Sequence, residues 1–421
     1  SSDVCSSDLE IKISNFYSIK DEISLDLRAA NIQSQVAKEL SNNYFEINKE
    51  KVLKTVALFG SNAAGKSNII NAISFCVRMV INSHNHNENS IFAYSPFKFD
   101  GYEDKPSSFY IRFICKNIEY EYSFELNRTQ ILREKLLYSP KGRVSKIFER
   151  DETIDGSKRN KYKFGNQISR PMDVAENTSA KTLFISRASK MDRDIPKEIF
   201  NYFNTTFVLG SLKPNQDVFE NIFDIYKNEL LSALRSADSD IVRIEMQKEV
   251  LPVAEFDYKI EQNMASITAS RLKEKKAISI KSYHKQHPEV SFDFLSEESE
   301  GTKAMFFMLL SILDIVKFNK ILLIDEIEKS LHPDIVDFLI KLFNNSNNAQ
   351  LIFTTHSVNL LSFEKFRKDQ IYFCNKKKDG STDLYSLFDF NDFRDTLDLS
   401  KAYLQGRFNA VPNIDDSKIN L

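Results

Sequence analysis

Cysteine, glycine and long apolar runs are scarce in this sequence. Its four cysteines have neither the spacing of a zinc site nor the pattern of a disulfide framework. No apolar run approaches the roughly 20 residues needed to cross a bilayer, and no secretory signal is visible. Neither sign of charge dominates, because 57 Lys and Arg face 59 Asp and Glu. These absences predict a cytoplasmic protein without a membrane partner that is not, as a whole, attracted to nucleic acid.

The composition is typical of a globular protein, and the chain is long enough for more than one domain. Hydrophobic residues make up 42% of the 421 positions and charged residues 28%, which is ordinary for a globular protein. The length allows two or three domains, or one large domain with an insertion. The first nine residues, SSDVCSSDL, read as a translated sequencing adapter, so we expect residues 1–9 to lie outside the native fold.

Alternating patterns predict several β elements. Residues 9–29 predict a hairpin and residues 107–138 an antiparallel meander, because apolar and polar side chains alternate in both. Short buried strands are predicted at VALFG, KILLIDE and QLIFTTH. A further hairpin is predicted in the tail, with Asp379-Gly380 in its turn. Residues 139–165 are charged and predict a loop.

The middle of the chain has a different character from its ends. The run 217–250 is amphipathic with a helical period, and mixed charged segments and the strand-like run AISIKSY (277–283) follow it. We therefore divide the chain into an N-terminal lobe over 10–212, a helical insertion over 213–287 and a C-terminal lobe over 288–421. Strands that feed helices on both sides of the insertion predict an α/β fold.

A phosphate-binding loop is predicted at GSNAAGKS, which fits G-x-x-x-x-G-K-[ST] between an apolar strand and an amphipathic helix. Its two glycines let backbone N–H groups converge on phosphate oxygens at the positive end of the helix. Lys66 supplies a positive charge for the β- and γ-phosphates, and the Ser67 hydroxyl is a Mg²⁺ ligand. The predicted nucleotide-binding residues here are Gly60, Ser61, Asn62, Ala63, Ala64, Gly65, Lys66, Ser67 and Asn68.

An acidic pair supplies the second half of the predicted site. Asp325 and Glu326 follow the apolar run ILLI. Asp325 can hold magnesium through water, and Glu326 can accept a proton from the attacking water. By itself such a pair means little, since strands often end in acids, but it is the expected complement of a phosphate-binding loop. His356 ends the next apolar strand, where a lone histidine is usually a satisfied polar cap.

A polar segment, SEGT at 299–302, precedes a long apolar helical pattern. Ser299 or Thr302 can cap that helix, and capping is the simpler interpretation of the segment alone. A hydroxyl, the side-chain-free Gly301 and a run of free N–H groups would also form a second anion site. The two roles are compatible.

The order of these four motifs resembles that of the ABC/SMC-type ATPase heads. With SNFYSIKDEISLDL, RKDQIYF and YLQGRFNAVPNI, they resemble the stand-alone AAA-family ATP-binding proteins of the OLD/RecF-like group (the AAA-fifteen class), which are found in prokaryotic anti-phage and restriction-like loci. The likeness covers about residues 10–80 and 290–415. It implies an α/β P-loop NTPase head of ABC/SMC type with a mixed β-sheet, an antiparallel β lobe and a helical insertion.

The resemblance also implies a cofactor set and a mechanism. ATP and Mg²⁺ would bind, with Ser67 and Asp325 as metal ligands. His356 would contact the γ-phosphate, which makes the predicted catalytic residues Glu326, Lys66 and His356. The segment departs from the transporter signature LSGGQ, which argues against the ATPase of a membrane transporter. The sequence does not identify the glutamine of a Q-loop after the phosphate-binding loop, although residues 94–100 could occupy that position.

A homodimer that forms with nucleotide is the implied assembly. Ser299 and Gly301 would complete the ATP site of the opposite subunit, and Ser330 would touch that subunit. A separately encoded effector, either a nuclease or a toxin, would read the state of the dimer.

Three other functions stay open from the sequence. A RecF-like DNA repair ATPase would contact DNA, for which 157–163 and 271–276 are basic candidates. An OLD-type nuclease is disfavoured, because only about 65 residues follow His356. A scaffold that does not hydrolyse nucleotide is disfavoured by the acidic pair. His284 and His287 are predicted to be surface residues.

Overall fold

The computed structural model describes residues 7–140, 142–209, 216–236, 240–261, 264–329, 333–390 and 397–410. In chain order the strands are β1 (Ser7–Ser14), β2 (Ile23–Asp26), β3 (Tyr44–Ile47), β4 (Glu50–Leu53), β5 (Thr55–Gly60), β6 (Ser107–Cys115), β7 (Ile118–Leu126), β8 (Ile131–Ser139), β9 (Ser145–Asp151), β10 (Tyr162–Phe164), β11 (Phe207–Leu209), β12 (Ile241–Glu261), β13 (Met264–His284), β14 (Phe292–Asp293), β15 (Ile321–Ile324), β16 (Gln350–Thr354), β17 (Ile371–Lys376) and β18 (Thr382–Ser386). The helices are α1 (Gln35–Glu39), α2 (Lys66–Asn82), α3 (Lys158–Lys161), α4 (Pro171–Glu176), α5 (Phe184–Lys190), α6 (Asp194–Thr206), α7 (Gln216–Ser236), α8 (Phe294–Glu297), α9 (Glu300–Lys317), α10 (Pro333–Asn344) and α11 (Leu399–Leu404).

A mixed sheet carries the strand that leads into the phosphate-binding loop. Its described strands lie in the order β11-β15-β16-β5-β17-β18, parallel from β11 to β17 and antiparallel at β18. Parallel strands end at the same edge of a sheet, which is where open α/β sheets bind ligands. The segments after β5, β15 and β16 therefore meet, and these are the segments predicted to carry the site.

A larger antiparallel sheet forms the second layer of the N-terminal lobe. Its described strands follow the order β10-β9-β8-β7-β6-β1-β2, which confirms the predicted hairpin and meander. The loop predicted over 139–165 is wrong, because β9, α3 and β10 lie there. Charged residues dominate that stretch, and they hid the buried pair Ile147 and Phe148 that holds β9 in the sheet.

The first described residues belong to this sheet. β1 begins at Ser7, and Ser7, Asp8 and Leu9 are all buried there. Ser7 pairs with Ile114 through the backbone, so strand pairing includes three residues that we expected to lie outside the fold. Backbone pairing makes few demands on side-chain identity, and this is why an unexpected segment can continue a strand.

The chain divides into two compact units. The first spans 1–210 with 315–421, and the second spans 211–314. The second contains α7 and then the long antiparallel hairpin of β12 and β13, with β14 pairing to β13 at Lys281 and Ser282. The helical interpretation of 213–287 is therefore corrected after Ser236. Pairing with a partner strand decided the conformation of this half, in which AISIKSY (277–283) was the one local pattern that indicated a strand.

Candidate nucleotide-binding site

The phosphate-binding loop needs its two glycines for different steric reasons. A Cβ on Gly60 would lie 2.4 Å from the carbonyl oxygen of Cys374 in the neighbouring strand β17. Gly65 caps α2 with a left-handed φ of +98°, and a Cβ there would lie 1.9 Å from Thr382 Oγ1. Only glycine fits such positions without movement of the neighbours. The loop therefore curls closely over the sheet and leaves the first N–H groups of α2 available to an anion.

Lys66 lies beneath this loop rather than in open solvent. Its side chain is buried, and Nζ donates to the carbonyl oxygens of Gly60, at 2.7 Å, and Ser61, at 3.0 Å. Nζ also lies 3.4 Å from His356 Nδ1. Burial lowers the pKa of Lys66, while Cys374 and the carboxylates of Asp325, Glu328 and Glu326 oppose that shift. The lysine is thus held where its charge would face phosphate oxygens.

Ser67 and Asp325 are brought together as predicted. Ser67 Oγ donates to Asp325 Oδ1 at 3.0 Å, although the two residues are 258 positions apart. The hydroxyl of Thr354, at the end of β16, donates to the same carboxylate oxygen at 2.6 Å. Thr354 Oγ1 also accepts from the backbone N–H of Glu326 at 2.7 Å. One hydroxyl therefore orients both acidic residues, a role that the sequence analysis missed although QLIFTTHS contains it.

Glu326 and His356 face each other across the edge of the sheet. Glu326 Oε1 lies 3.9 Å from His356 Nε2, and Glu326 has a left-handed φ of +51°. Non-glycine residues in this region are uncommon and cluster at functional sites. Glu328, a second residue that the sequence analysis missed, accepts from the backbone N–H of His356 at 2.5 Å. The histidine therefore has both a fixed backbone and an acidic neighbour.

Two distant hydroxyls support the start of α2. Ser18, in the turn between β1 and β2, lies 2.7 Å from Thr382 Oγ1, and it accepts from Asn68 Nδ2 at 2.6 Å. Thr382 Oγ1 donates to the carbonyl of Ala64 at 3.0 Å. Ser18 and Thr382 are 364 positions apart, so no local pattern in the sequence could have identified them as a pair.

A cleft of about 480 Å³ opens over these groups. It is lined by Ser18, Asn62, Ala63, Ala64, Gly65, Lys66, Ser67, Asn68, Glu326, His356, Lys376 and Gly380. The donor set fits a nucleotide with magnesium, because the cleft is lined by the start of α2, by Lys66 and by Ser67, whose hydroxyl is bonded to the carboxylate of Asp325. Among the described residues no group of three or more His, Cys, Asp or Glu could hold a metal by itself. Ser67 and Asp325 would accordingly share a cation with phosphate oxygens.

Ser299 and Gly301 lie in the second unit. Ser299 Oγ accepts from the backbone N–H of Thr302 at 3.1 Å and so caps α9, as the simpler interpretation predicted. The contact of Ser299 with another subunit stays a prediction. Ser330 falls outside the described residues. None of the residues 94–100 lines the cleft. The ring of Phe99 lies beside Gly380, however, and Gly380 does line it.

The basic candidates for DNA contact differ in what the structure says of them. In 157–163, Lys158 and Lys161 are both paired with Glu152, at 2.9 Å and 3.2 Å. Both lysines therefore make ion pairs within the protein, although they share the single carboxylate of Glu152 with Arg150. The side chains of 271–276 are outside the described part of the structure.

Fold and site together define a P-loop NTPase: the phosphate-binding loop follows the central parallel strand β5, the histidine follows the adjacent strand β16, and the acidic pair follows β15, the next strand along. The chain belongs to the family described as "AAA domain, putative AbiEii toxin, Type IV TA system", whose model matches residues 56–362. This match confirms the AAA-family membership that the motifs predicted; the narrower class stays a prediction. The protein is thus a member of an AAA ATPase family.

Similar solved structures include two SMC heads and a recombination mediator protein. The SMC head domain from Thermotoga maritima is 13% identical, with 90% of this chain and 98% of that chain covered and a TM-score of 0.39. The SMC head bound to the C-winged helix domain of ScpA is 14% identical, covering 90% and 97%, with a TM-score of 0.39. The recombination mediator RecF with ATP is 16% identical, covering 90% and 99%, with a TM-score of 0.36. No curated protein matches the chain. Among the described residues no helix is both long and apolar enough for a membrane span.

Proposed function

We propose that this protein is a Mg²⁺-dependent ATPase whose heads dimerise around ATP and switch a separately encoded effector. The observation that carries the proposal is the bonded series Ser67–Asp325–Thr354–Glu326, whose two end residues line one cleft with Lys66 and His356. A site that only stored nucleotide would not need an oriented carboxylate beside the phosphates.

Each residue of the cleft has a task that its geometry supports. Free N–H groups of the loop and the ammonium of Lys66 would bind the β- and γ-phosphates. Mg²⁺, held by Ser67 and Asp325, would supply charge neutralisation at the phosphate oxygens when bound. Glu326 would orient the attacking water and accept its proton. His356 would place its ring beside the γ-phosphate, because Glu328 fixes its backbone.

The dimer is supported by a glycine that its own helix does not require. Gly301 lies in the first turn of α9, where glycine costs roughly 0.5–1 kcal/mol relative to alanine. Within the described residues a Cβ at this position would meet only Ser299 Oγ, at 3.7 Å. Space above Gly301 and the exposed N-terminus of α9 would admit the γ-phosphate of an ATP bound to another subunit.

Two observations bear on the proposed switching of a separate effector, the family description and the sequence resemblance. The description of the matched family names a toxin of type IV toxin–antitoxin systems, and the sequence resembles proteins of anti-phage loci. The resemblance to anti-phage loci supports a separate effector that acts on the cell or on the phage, whereas the family description calls the AAA domain itself a "putative AbiEii toxin".

Glu326→Gln tests the two-headed mechanism. The amide keeps the shape of the carboxylate but cannot accept the proton, so ATP should bind and turnover should fall at least about 100-fold. The trapped state should be a dimer in saturating MgATP, and light scattering measures its mass. Glu46→Gln is the matched control, because Glu46 is an exposed residue of β3 paired only weakly with Lys51 at 3.7 Å.

A monomer in saturating MgATP would contradict the dimer, provided that a fluorescent ATP analogue still binds. Loss of binding in Lys66→Ala, but not in Glu326→Gln, would show that the cleft is the nucleotide site. ATPase stimulation by duplex DNA, with a steep dependence on salt, would instead favour the RecF-like alternative.

A further inference from the structure

His284 links the segment that carries Ser299 to the end of the long hairpin of β12 and β13 through a hydrogen bond. His284 is the last residue of β13. Its Nδ1 lies 2.8 Å from Asp240 Oδ1, and its Nε2 lies 2.7 Å from Glu298 Oε1. Glu298 directly precedes Ser299 in the chain, and its side chain is only 8% exposed. These residues all belong to the second unit.

Glu298 is held by two residues on the same face of β13. Ser282 Oγ donates to Glu298 Oε1 at 2.5 Å, and Ser282 and His284 share a face because strand side chains alternate. The ring of Phe292 in β14 packs edge-on against His284, with centroids 5.0 Å apart. The expectation that His284 is a plain surface residue is therefore wrong. The ring is packed on one side and bonded at both nitrogens.

This geometry specifies the protonation state of the ring. A carboxylate only accepts hydrogen bonds, whereas a neutral imidazole has a single N–H to donate. With both carboxyl groups ionised, the two bonds form together only when His284 is an imidazolium. The charged groups that act on the ring are Asp240, which precedes β12, and Glu298, which precedes α9. Burial lowers the pKa of His284, but hydrogen bonds to Asp240 and Glu298 outweigh it, so the pKa lies above the ordinary value of 6.5.

We propose that protonated His284 is a positioning residue that holds Glu298 and thereby fixes the loop presenting Ser299 to the nucleotide of a second subunit. This inference rests on the proposed function of Ser299. The same tie joins that loop to the hairpin of β12 and β13, since His284 ends the hairpin. The catalytic cleft of the first unit takes no part in the tie.

The sign of the pH dependence follows from the raised pKa. A histidine whose pKa is higher in the folded state stabilises that state fully below its unfolded pKa, near 6.5. The contribution is lost as pH rises through the folded pKa. Dimerisation should therefore weaken as pH rises through the folded pKa, because the ring loses the proton that bonds the second carboxylate.

The test compares His284→Gln with His287→Gln, each in the Glu326→Gln background. Glutamine can bond one carboxylate but carries no charge, so His284→Gln should weaken MgATP-dependent dimerisation about tenfold at pH about 6. The dimerisation affinity of His284→Gln should then stay constant up to pH about 9, whereas that of the parent should fall about tenfold over the same range. ATP affinity of the monomer should not change. His287 is the matched control, since it is 74% exposed and meets only Glu289, at 3.3 Å.

A second measurement needs no dimer. Hydrogen exchange at the amides of Thr302 and Lys303, which bond to Ser299 in the monomer, should be faster in His284→Gln than in His287→Gln at equal pH. Equal exchange in the two variants would overturn the tie. A parental dimer with an unaltered pH profile in His284→Gln would overturn the positioning role and leave the proposed function standing. A parent that never dimerises would instead remove the proposed function itself.

Discussion

At the scale of single residues, the site depends on close approaches that only some side chains allow. The loop over β5 lies so near β17 and β18 that a Cβ on Gly60 or Gly65 would overlap them, so these glycines are required by their neighbours and not by flexibility. Glu326 is fixed in a different way, with a left-handed backbone held by the hydroxyl of Thr354. Small changes at these positions should therefore alter binding before they alter the fold.

Gly65→Ala separates a steric requirement from a conformational one. The new methyl group would overlap Thr382 Oγ1, 1.9 Å away, in addition to the strain of the positive φ. We expect ATP affinity to fall at least about tenfold, with a loss of about 2–4 kcal/mol in the free energy of unfolding. Isothermal titration with a non-hydrolysable ATP analogue measures the affinity.

Gly406→Ala is the control for that substitution. Gly406 also has a positive φ, +75°, but a Cβ there would meet nothing within 4 Å. It should cost about 1–2 kcal/mol of stability and leave ATP affinity unchanged. Equal effects of the two variants on affinity would show that Thr382 moves aside and that the contact is unimportant.

At the scale of elements, a buried carboxylate joins β8 to the start of α5. Glu134 is 1% exposed and accepts from the backbone N–H groups of Phe184, at 2.5 Å, and Ile185, at 3.0 Å. Tyr122 OH donates to it at 2.9 Å, and Arg150 Nη1 lies 3.7 Å away. Burial raises the pKa of Glu134, and Arg150 and these hydrogen bonds oppose that rise. The sheet and the helix are therefore coupled through one side chain.

Glu134→Ala should be strongly destabilising. The substitution leaves Arg150 buried without this partner, and it leaves two buried N–H groups at the start of α5 without their hydrogen-bond acceptor. We expect a loss of about 3–5 kcal/mol. The control is Glu125→Ala, whose pair with Arg133 is largely exposed and should contribute less than about 1 kcal/mol. Urea unfolding followed by tyrosine fluorescence measures both, since the chain has no Trp. Similar midpoints for the two variants would contradict the coupling.

At the scale of the whole molecule, the described residues that line the cleft belong to the first unit, and the residues proposed for the second subunit's nucleotide belong to the other. Binding in one head and completion of the site by another are thus assigned to separately packed parts of the chain. The hairpin of β12 and β13 extends the second part by strands of 21 residues each, about 70 Å long when straight.

Shortening the hairpin tests this division. A two-residue Asn-Gly turn in place of residues 250–276 would close on the pair Glu249 and Ala277. Monomer affinity for ATP should stay within about twofold, because mutations in separate units with no shared partners act independently. Fluorescence titration of the shortened protein measures this. A tenfold loss of affinity would mean that the hairpin contributes to nucleotide binding after all.

The sequence by itself determined the elements whose signal is local. The phosphate-binding loop needs two glycines, a lysine and a hydroxyl at fixed spacing, so GSNAAGKS was sufficient to predict it. Strand alternation was sufficient for β1, β2 and β6 to β8, since each has one buried face. The pairing of Ser67 with Asp325 was also predictable, because both motifs belong to one chemical task.

Tertiary structure alone decided what depends on partners far along the chain. Thr354 and Glu328 became part of the site only when parallel strands ended at one edge, and Ser18 met Thr382 across 364 positions. The pairing of β12 with β13 was not predictable either, since the sequence indicated a strand only at AISIKSY (277–283) and a helical period over 217–250. His284 was predicted to be a surface residue, but the structure places a carboxylate at each nitrogen of its ring. Local chemistry selects residue types, but the distances at which they act are set by packing.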